Sequence, residues 1–205
     1  SKVLTFKIES YSPPLKGYVI PFNGTTPNAY SAVQPSLKDY WHVEGMGVQQ
    51  TPTYVTDGTD KVLQIACNGK STWDGSWYYT PDMDLTDYPL LSMWVKSDQA
   101  IKFHIYFWDD SIRNNMVEAT QIQYDIPANT WTKVNFDFSF AKGMYNEKGN
   151  PVNAKRIKRV LFNYHPTFGW PFTNWTGQVR FKDIRIGDQS GITPTYYCTV
   201  DAVGQ

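Results

Sequence analysis

Between residues 101 and 110 the chain reads I-K-F-H-I-Y-F-W-D-D, and alternate positions fall into two chemically different sets. Successive side chains on a strand point to opposite faces. Ile101, Phe103, Ile105 and Phe107 then form one apolar face, fit for a core. Lys102, His104, Tyr106 and Trp108 form the other, which is aromatic and hydrogen-bonding at once. A solvated sheet face would carry Thr, Ser, Lys and Glu in place of a Tyr–Trp pair. Flat rings beside polar groups are what a sugar requires, because its C–H face stacks on the ring while its hydroxyls find partners. The run therefore points to non-covalent carbohydrate recognition, with Asp109 and Gln64 as further hydrogen-bonding candidates.

Two more aromatic clusters stand beside turn residues: W-D-G-S-W-Y-Y over 73–79 and F-G-W-P-F-T-N-W over 168–175. Trp73, next to Asp74-Gly75, and Trp170, between Gly169 and Pro171, are expected to wall the rims of the ligand face. The alternative is that the loop rings cap one end of the fold as a satellite apolar cluster, the reading that suits Trp175. Trp77 and Tyr79 oppose Tyr78 in parity, so one set belongs to the core. Trp94 either shares the outward face of Tyr106 and Lys102 or lies under the N-terminal segment. Trp41 and Trp131 each open a strand and read as core or edge packing.

Catalytic patterns are missing. A glycosidase needs two carboxylates flanking the bond, about 5–5.5 Å apart for retention or 6.5–9.5 Å for inversion. Asp109 and Asp110 are neighbours and so point to opposite faces. Asp82 and Asp84 share a parity, but Pro81 precedes them and a turn is expected there. The three histidines have no metal-ligand spacing. A polysaccharide-degrading enzyme is the alternative function, with Tyr106, His104 and Arg113 imaginable as lyase residues. A protein–protein adhesion domain is another, because an aromatic patch marks a partner without naming it.

Composition supports binding to something neutral. Aromatic residues make up 16% of the chain, and 19 Lys+Arg balance 19 Asp+Glu, for zero net charge. That balance argues against nucleic acid, whose phosphates demand basic patches, and favours a neutral glycan over a polyuronate, which would call for more Arg and Lys near the site. No apolar run approaches the ~20 residues of a membrane span. Two cysteines are too few for a disulfide framework, and Cys67 reads as a buried thiol before a bridge to Cys198. No signal peptide opens the chain, whose start reads as that of an excised piece.

Alternating runs recur and helical stripes do not. Strands are expected over 3–10, 18–22, 42–50, 61–68, 77–80, 90–97, 101–109, 121–126, 132–138, 159–164 and 179–186, with a last one over 196–200. Such spacing predicts an all-β, two-sheet antiparallel sandwich. Residues 1–30 read as an extension or linker hairpin, 31–190 as the binding domain and 191–205 as a tail that adds an edge strand. In 179–186 the apolar parity flips between Phe181 and Ile184, which requires a bulge near Lys182-Asp183.

From Trp41 to Gly187 the ordered series D-G-T-D-K-V-L-Q-I, S-T-W-D-G-S-W, M-D-L-T-D-Y-P-L-L-S-M-W-V-K-S, N-T-W-T-K-V-N-F-D-F, K-R-I-K-R-V-L-F-N and W-T-G-Q-V-R-F-K-D-I-R-I-G resembles a known group. It is similar to the jelly-roll carbohydrate-binding modules with a galactose-binding-domain-like fold, of the kind attached to bacterial glycoside hydrolases. The resemblance implies a non-catalytic module holding a cellulose, β-glucan or xyloglucan type of polysaccharide. It also implies a monomer tethered to a catalytic or surface-protein domain, secreted or at the cell surface. Such modules often hold a structural calcium on a last-strand Asp, here Asp183, with carbonyls from the loop at 57–61. The opening acid of that pattern is replaced by Ser31-Ala32-Val33-Gln34, for which Glu9 or Glu44 would have to compensate.

Overall fold

The computed structural model describes residues 14–22, 28–29, 40–44, 51–68, 75–109, 116–118, 123–137, 154–167 and 175–188. Their strands are β1 (Gly17–Val19), β2 (Asn28–Ala29), β3 (Tyr40–Glu44), β4 (Thr51–Asp57), β5 (Asp60–Asn68), β6 (Gly75–Met83) and β7 (Leu90–Ser97). β8 (Ile101–Asp109), β9 (Met116–Glu118), β10 (Tyr124–Ile126), β11 (Thr132–Asp137), β12 (Ile157–His165) and β13 (Thr176–Gly187) follow, with one 3-10 turn, Ala154–Arg156, before β12. They form two sheets. One, the β7 sheet, runs β11-β7-β13-β5-β4 with β1 added on β13; the other, the β8 sheet, runs β10-β8-β12-β6-β3-β2 with β9 added on β8. The expected two-sheet sandwich is what forms, and every strand pair but β2–β3 is antiparallel.

The period-two faces meet between the sheets. Ile101, Phe103, Ile105 and Phe107 are at most 2% exposed, as are Leu91, Met93 and Val95 opposite them. Phe103 sits among rings from both layers, with centroids 6.1 Å from Phe162, 5.9 Å from Phe181 and 6.3 Å from Phe136. Burying a ring of that size contributes about 1.5–3 kcal/mol. Trp41, 1% exposed and 4.9 Å from the Tyr78 ring, is core. Cys67 is buried, at 2% exposure.

Two departures from the expected strands contain a proline. β4 is not among the expected strands; it carries Pro52 at the edge of its sheet, where a missing N–H is tolerated. β6 runs past Thr80 through Pro81, because that proline lies in a bulge. Ile157 pairs with Met83 and Arg159 with Tyr79, so three β6 residues face one on β12. The bulge expected in the last strand is present: the β13–β7 register shifts between Lys182 and Arg185, and Asp183 takes φ 51°. The strands expected over 3–10 and 196–200 lie outside the described residues.

The N-terminal segment ties the layers together. Ile20 donates its N–H to the Ile184 carbonyl, and Leu15 exchanges backbone bonds with Asp82 and Asp84 at the end of β6. The approach is close enough to require glycine, since a Cβ on Gly187 (φ 79°) would lie 2.2 Å from the Lys16 carbonyl oxygen.

Candidate functional site

Lys102, His104 and Tyr106 stand together on the face of β8 away from the core, as the parity requires. His104 and Tyr106 stack, with centroids 6.5 Å apart and planes 15° off parallel. Lys102 donates from Nζ to Asp125 Oδ1 on β10 at 2.5 Å. The face is nevertheless not the open platform expected: His104 is 8% exposed and Tyr106 5%. The shielded strip extends over the adjacent strand, where Leu161, Asn163 and His165 are also buried. Rings with an apolar body are stabilised by such cover, provided that their polar tips are partnered.

Burial pushes the His104 imidazole below its ordinary pKa, and a hydrogen bond with Gln123 partly offsets the shift. At neutral pH the ring is therefore uncharged, with one nitrogen to donate and one to accept.

The strand register adds residues that parity within one strand could not. Tyr106 pairs with Leu161, Leu161 with Trp77, and Trp77 with His42, making one row across four strands. His104, Asn163, Gly75 and Glu44 make the next row, and Arg159 stands between Trp108 and Tyr79. Asn163 and Arg159 were not anticipated, although their alternation with Val160 and Phe162 was the available signal. Tyr78 is fully buried in the core, which resolves the parity of that cluster and gives Trp77 and Tyr79 register positions on the Tyr106 side. Asn163 Oδ1 is buried and accepts no hydrogen bond among the described residues.

Other residues singled out in the sequence fall elsewhere. Gln64 lies on β5 in the opposite sheet, where its Oε1 accepts from Arg180 Nε at 2.9 Å. Asp109 takes the core parity of Phe107, because β8 continues through it, and is 2% exposed. Trp94 is not near Tyr106, since β7 and β8 belong to different sheets. Trp131 is half-buried at the outer surface of the β7 sheet, with Lys182 Nζ 4.5 Å from its ring centroid. Trp175 packs edge-on to His165 at 6.1 Å, as a capping ring would. Trp73 and Trp170 lie outside the described residues.

Calcium takes six to eight oxygen ligands, ideally several of them charged. Asp183 accepts from Arg185 Nε at 2.7 Å, and Asp60 accepts from Lys182 Nζ at 2.5 Å. Asp57 accepts from both Lys96 and Arg180, at 3.1 and 3.2 Å, and these bonds hold its carboxyl below the usual range. Each carboxylate near the bulge thus has a cation of the chain as its partner. No group of three or more His, Cys, Asp or Glu that could hold a metal occurs among the described residues. Asp57, Asp60 and Asp183, paired in this way, do not fit calcium; Glu9 and residues 31–34 lie outside the described residues.

No protein-family model and no curated protein matches the sequence. Solved structures do resemble the fold. A family 11 carbohydrate-binding module from Clostridium thermocellum, in complex with a β-1,3-1,4-mixed-linked tetrasaccharide, superposes with TM-score 0.53 at 17% identity, covering 84% of this chain and 95% of that one. The family 11 module of a cellulosomal cellulase from the same organism gives TM-score 0.51 at 18% identity, over 85% and 96%. A carbohydrate-binding module specific for non-crystalline cellulose, CBM28, gives 0.52 at 13%, over 82% and 100%. At these identities the likeness is one of fold, and the fold is the β-sandwich that these modules share.

Proposed function

We propose that this chain is a non-catalytic module that holds a neutral, β-linked polysaccharide of the cellulose, mixed-linkage β-glucan or xyloglucan type on the outer face of the β8 sheet. The observation that carries the reading is the row structure of that face. Aromatic positions 77, 79, 106 and 108 alternate there with His104, Asn163 and Arg159 over adjacent strands. Tyr106 and His104 would form the floor, and Asn163 Oδ1 is a buried acceptor suited to a hydroxyl. Trp73 and Trp170 remain the proposed walls, and Lys102 a rim donor. The ligands named for the fold's neighbours, a mixed-linked glucan and non-crystalline cellulose, support this ligand class.

Carboxylate placement favours binding over hydrolysis. Glu118 pairs with Tyr106 at one edge of the face, and Glu44 pairs with Gly75 near the other. Four strand spacings, about 19 Å, separate the backbones of β9 and β3, and Asp125, a further carboxylate of the face, is paired with Lys102. A polymer of this kind is met outside the cell, so a secreted or surface-held protein is inferred. No helix among the described residues is long and apolar enough to cross a membrane.

Affinity electrophoresis against soluble β-glucan, followed by calorimetry with a tetrasaccharide, tests the reading. Two or three ring contacts, offset by the ordering of a flexible ligand, give a Kd of micromolar to sub-millimolar order, about −5 to −8 kcal/mol. Trp108→Ala should weaken binding roughly tenfold with the fold intact. Wild-type release of reducing ends or unsaturated sugars would replace this reading with an enzymatic one.

A further inference from the structure

We propose that the outer face of the β7 sheet carries a second sugar site, selective for an acidic, uronate-containing glycan and independent of the β8-sheet face. A groove of about 540 Å³ opens there, lined among others by Trp94, Trp131, Lys61, Lys182, Asp60 and Arg185. Its volume lies within the ~300–1,000 Å³ typical of small-molecule sites. Both tryptophans point away from the inter-sheet core and are half-buried. Lys182 bridges them, its ammonium 4.5 Å from the Trp131 centroid and 5.9 Å from that of Trp94. Such cation–π contacts hold the rings in a defined orientation.

Charge selects the ligand class. The groove's carboxylates are already committed, Asp60 to Lys182 and Asp183 to Arg185. Lys133, by contrast, is exposed, and no ion pair engages it among the described residues. It is the direct cross-strand neighbour of Trp94, which places the two side chains about 4.5–5.5 Å apart at Cβ. A uronate combines what this pair can read: a pyranose C–H face for the ring, and a carboxylate at the ring's edge for the ammonium. On the Tyr106 face Lys102 is paired with Asp125, and Arg159, the cation beside Trp108, is engaged as well. A neutral sugar would leave Lys133 unused, and a ringless polyanion would leave the tryptophans unused.

Calorimetric titration of the whole chain with tetragalacturonate, with cellotetraose and poly-glutamate alongside, tests the site. The wild type should bind the uronate oligomer, more weakly by about threefold or more as salt rises from about 50 to 300 mM. Lys133→Glu should weaken that binding roughly tenfold and Trp131→Ala at least fivefold, while neither changes cellotetraose binding. Lys133 is exposed, so its variant remains informative if the tryptophan variant fails to fold. The proposal is overturned if the wild type does not bind tetragalacturonate, if Lys133→Glu binds it as the wild type does, or if poly-glutamate binds equally well. Absence of cellotetraose binding would count against the proposed function and leave this site standing.

Discussion

The outer faces of the two sheets solve the same problem in opposite ways. On the β8 sheet the polar groups are shielded: His104, Asn163 and Tyr106 are each under 9% exposed, and the imidazole is held neutral. On the β7 sheet most polar groups are charged, partly exposed and paired, in a network of Asp57 with Lys96 and Arg180, and Asp60 with Lys182, with Lys133 standing outside it. Uncharged groups cost less to bury than ions do. Only the first face can therefore present hydrogen-bonding atoms in a partly dry setting, where bonds to hydroxyls gain strength. The second keeps its charges solvated and offers long-range attraction and stacking. The contrast assigns neutral sugars to one face and anionic ones to the other.

Stability should separate the faces most clearly. Tyr106→Ala removes a buried ring and should cost about 3–5 kcal/mol in denaturant unfolding, whereas Lys133→Ala should stay within ~0.5 kcal/mol. Equal costs would break the comparison. Asp57→Asn comes next, at roughly 1 kcal/mol, because its two ion pairs are partly open to solvent. The Asp57 carboxyl is held below its ordinary value, so its contribution is present above about pH 4 and is lost as pH falls further through the lowered folded value.

His104 gives the opposite face a pH signature of its own. Its folded pKa is lowered, so the unfolded chain takes up a proton first. Stability should decline as pH falls through about 6.5 and keep declining down to the folded value. His104→Gln should flatten that limb, and an unchanged profile would show that this imidazole is not the group responsible. The smallest expected effect is that of a chelator. A ligand bound only to the native state raises stability, so with Asp183 and its neighbours paired internally, EDTA should leave Tm unmoved. A fall of several degrees would reveal a bound cation.

Much of this architecture was legible in the residues. The alternation in 90–97 and 101–109 located two strands to the residue, and the parity flip at Phe181 and Ile184 located the bulge at Asp183. Local period tells which way a side chain points relative to its own strand; it does not tell which sheet the strand joins. Gln64 is therefore read with Tyr106, and Trp94 is left open between that face and a place under the N-terminal segment, although both lie in the opposite sheet. The burial of His104 and Tyr106 was equally hidden, because parity gives a side chain's direction and not what lies over it. Pro81 misled for a related reason, since a bulge accommodates proline and is not visible locally.

Binding of a neutral glucan to the β8-sheet face can be read strand by strand in a titration. Isotope-labelled protein titrated with a mixed-linkage β-glucan tetrasaccharide should show saturable amide shifts along β8, β12 and β6, centred on Tyr106, Asn163 and Trp77, with β7 and β11 unmoved. Shifts confined to β7 and β11, or none at saturating ligand, would contradict it.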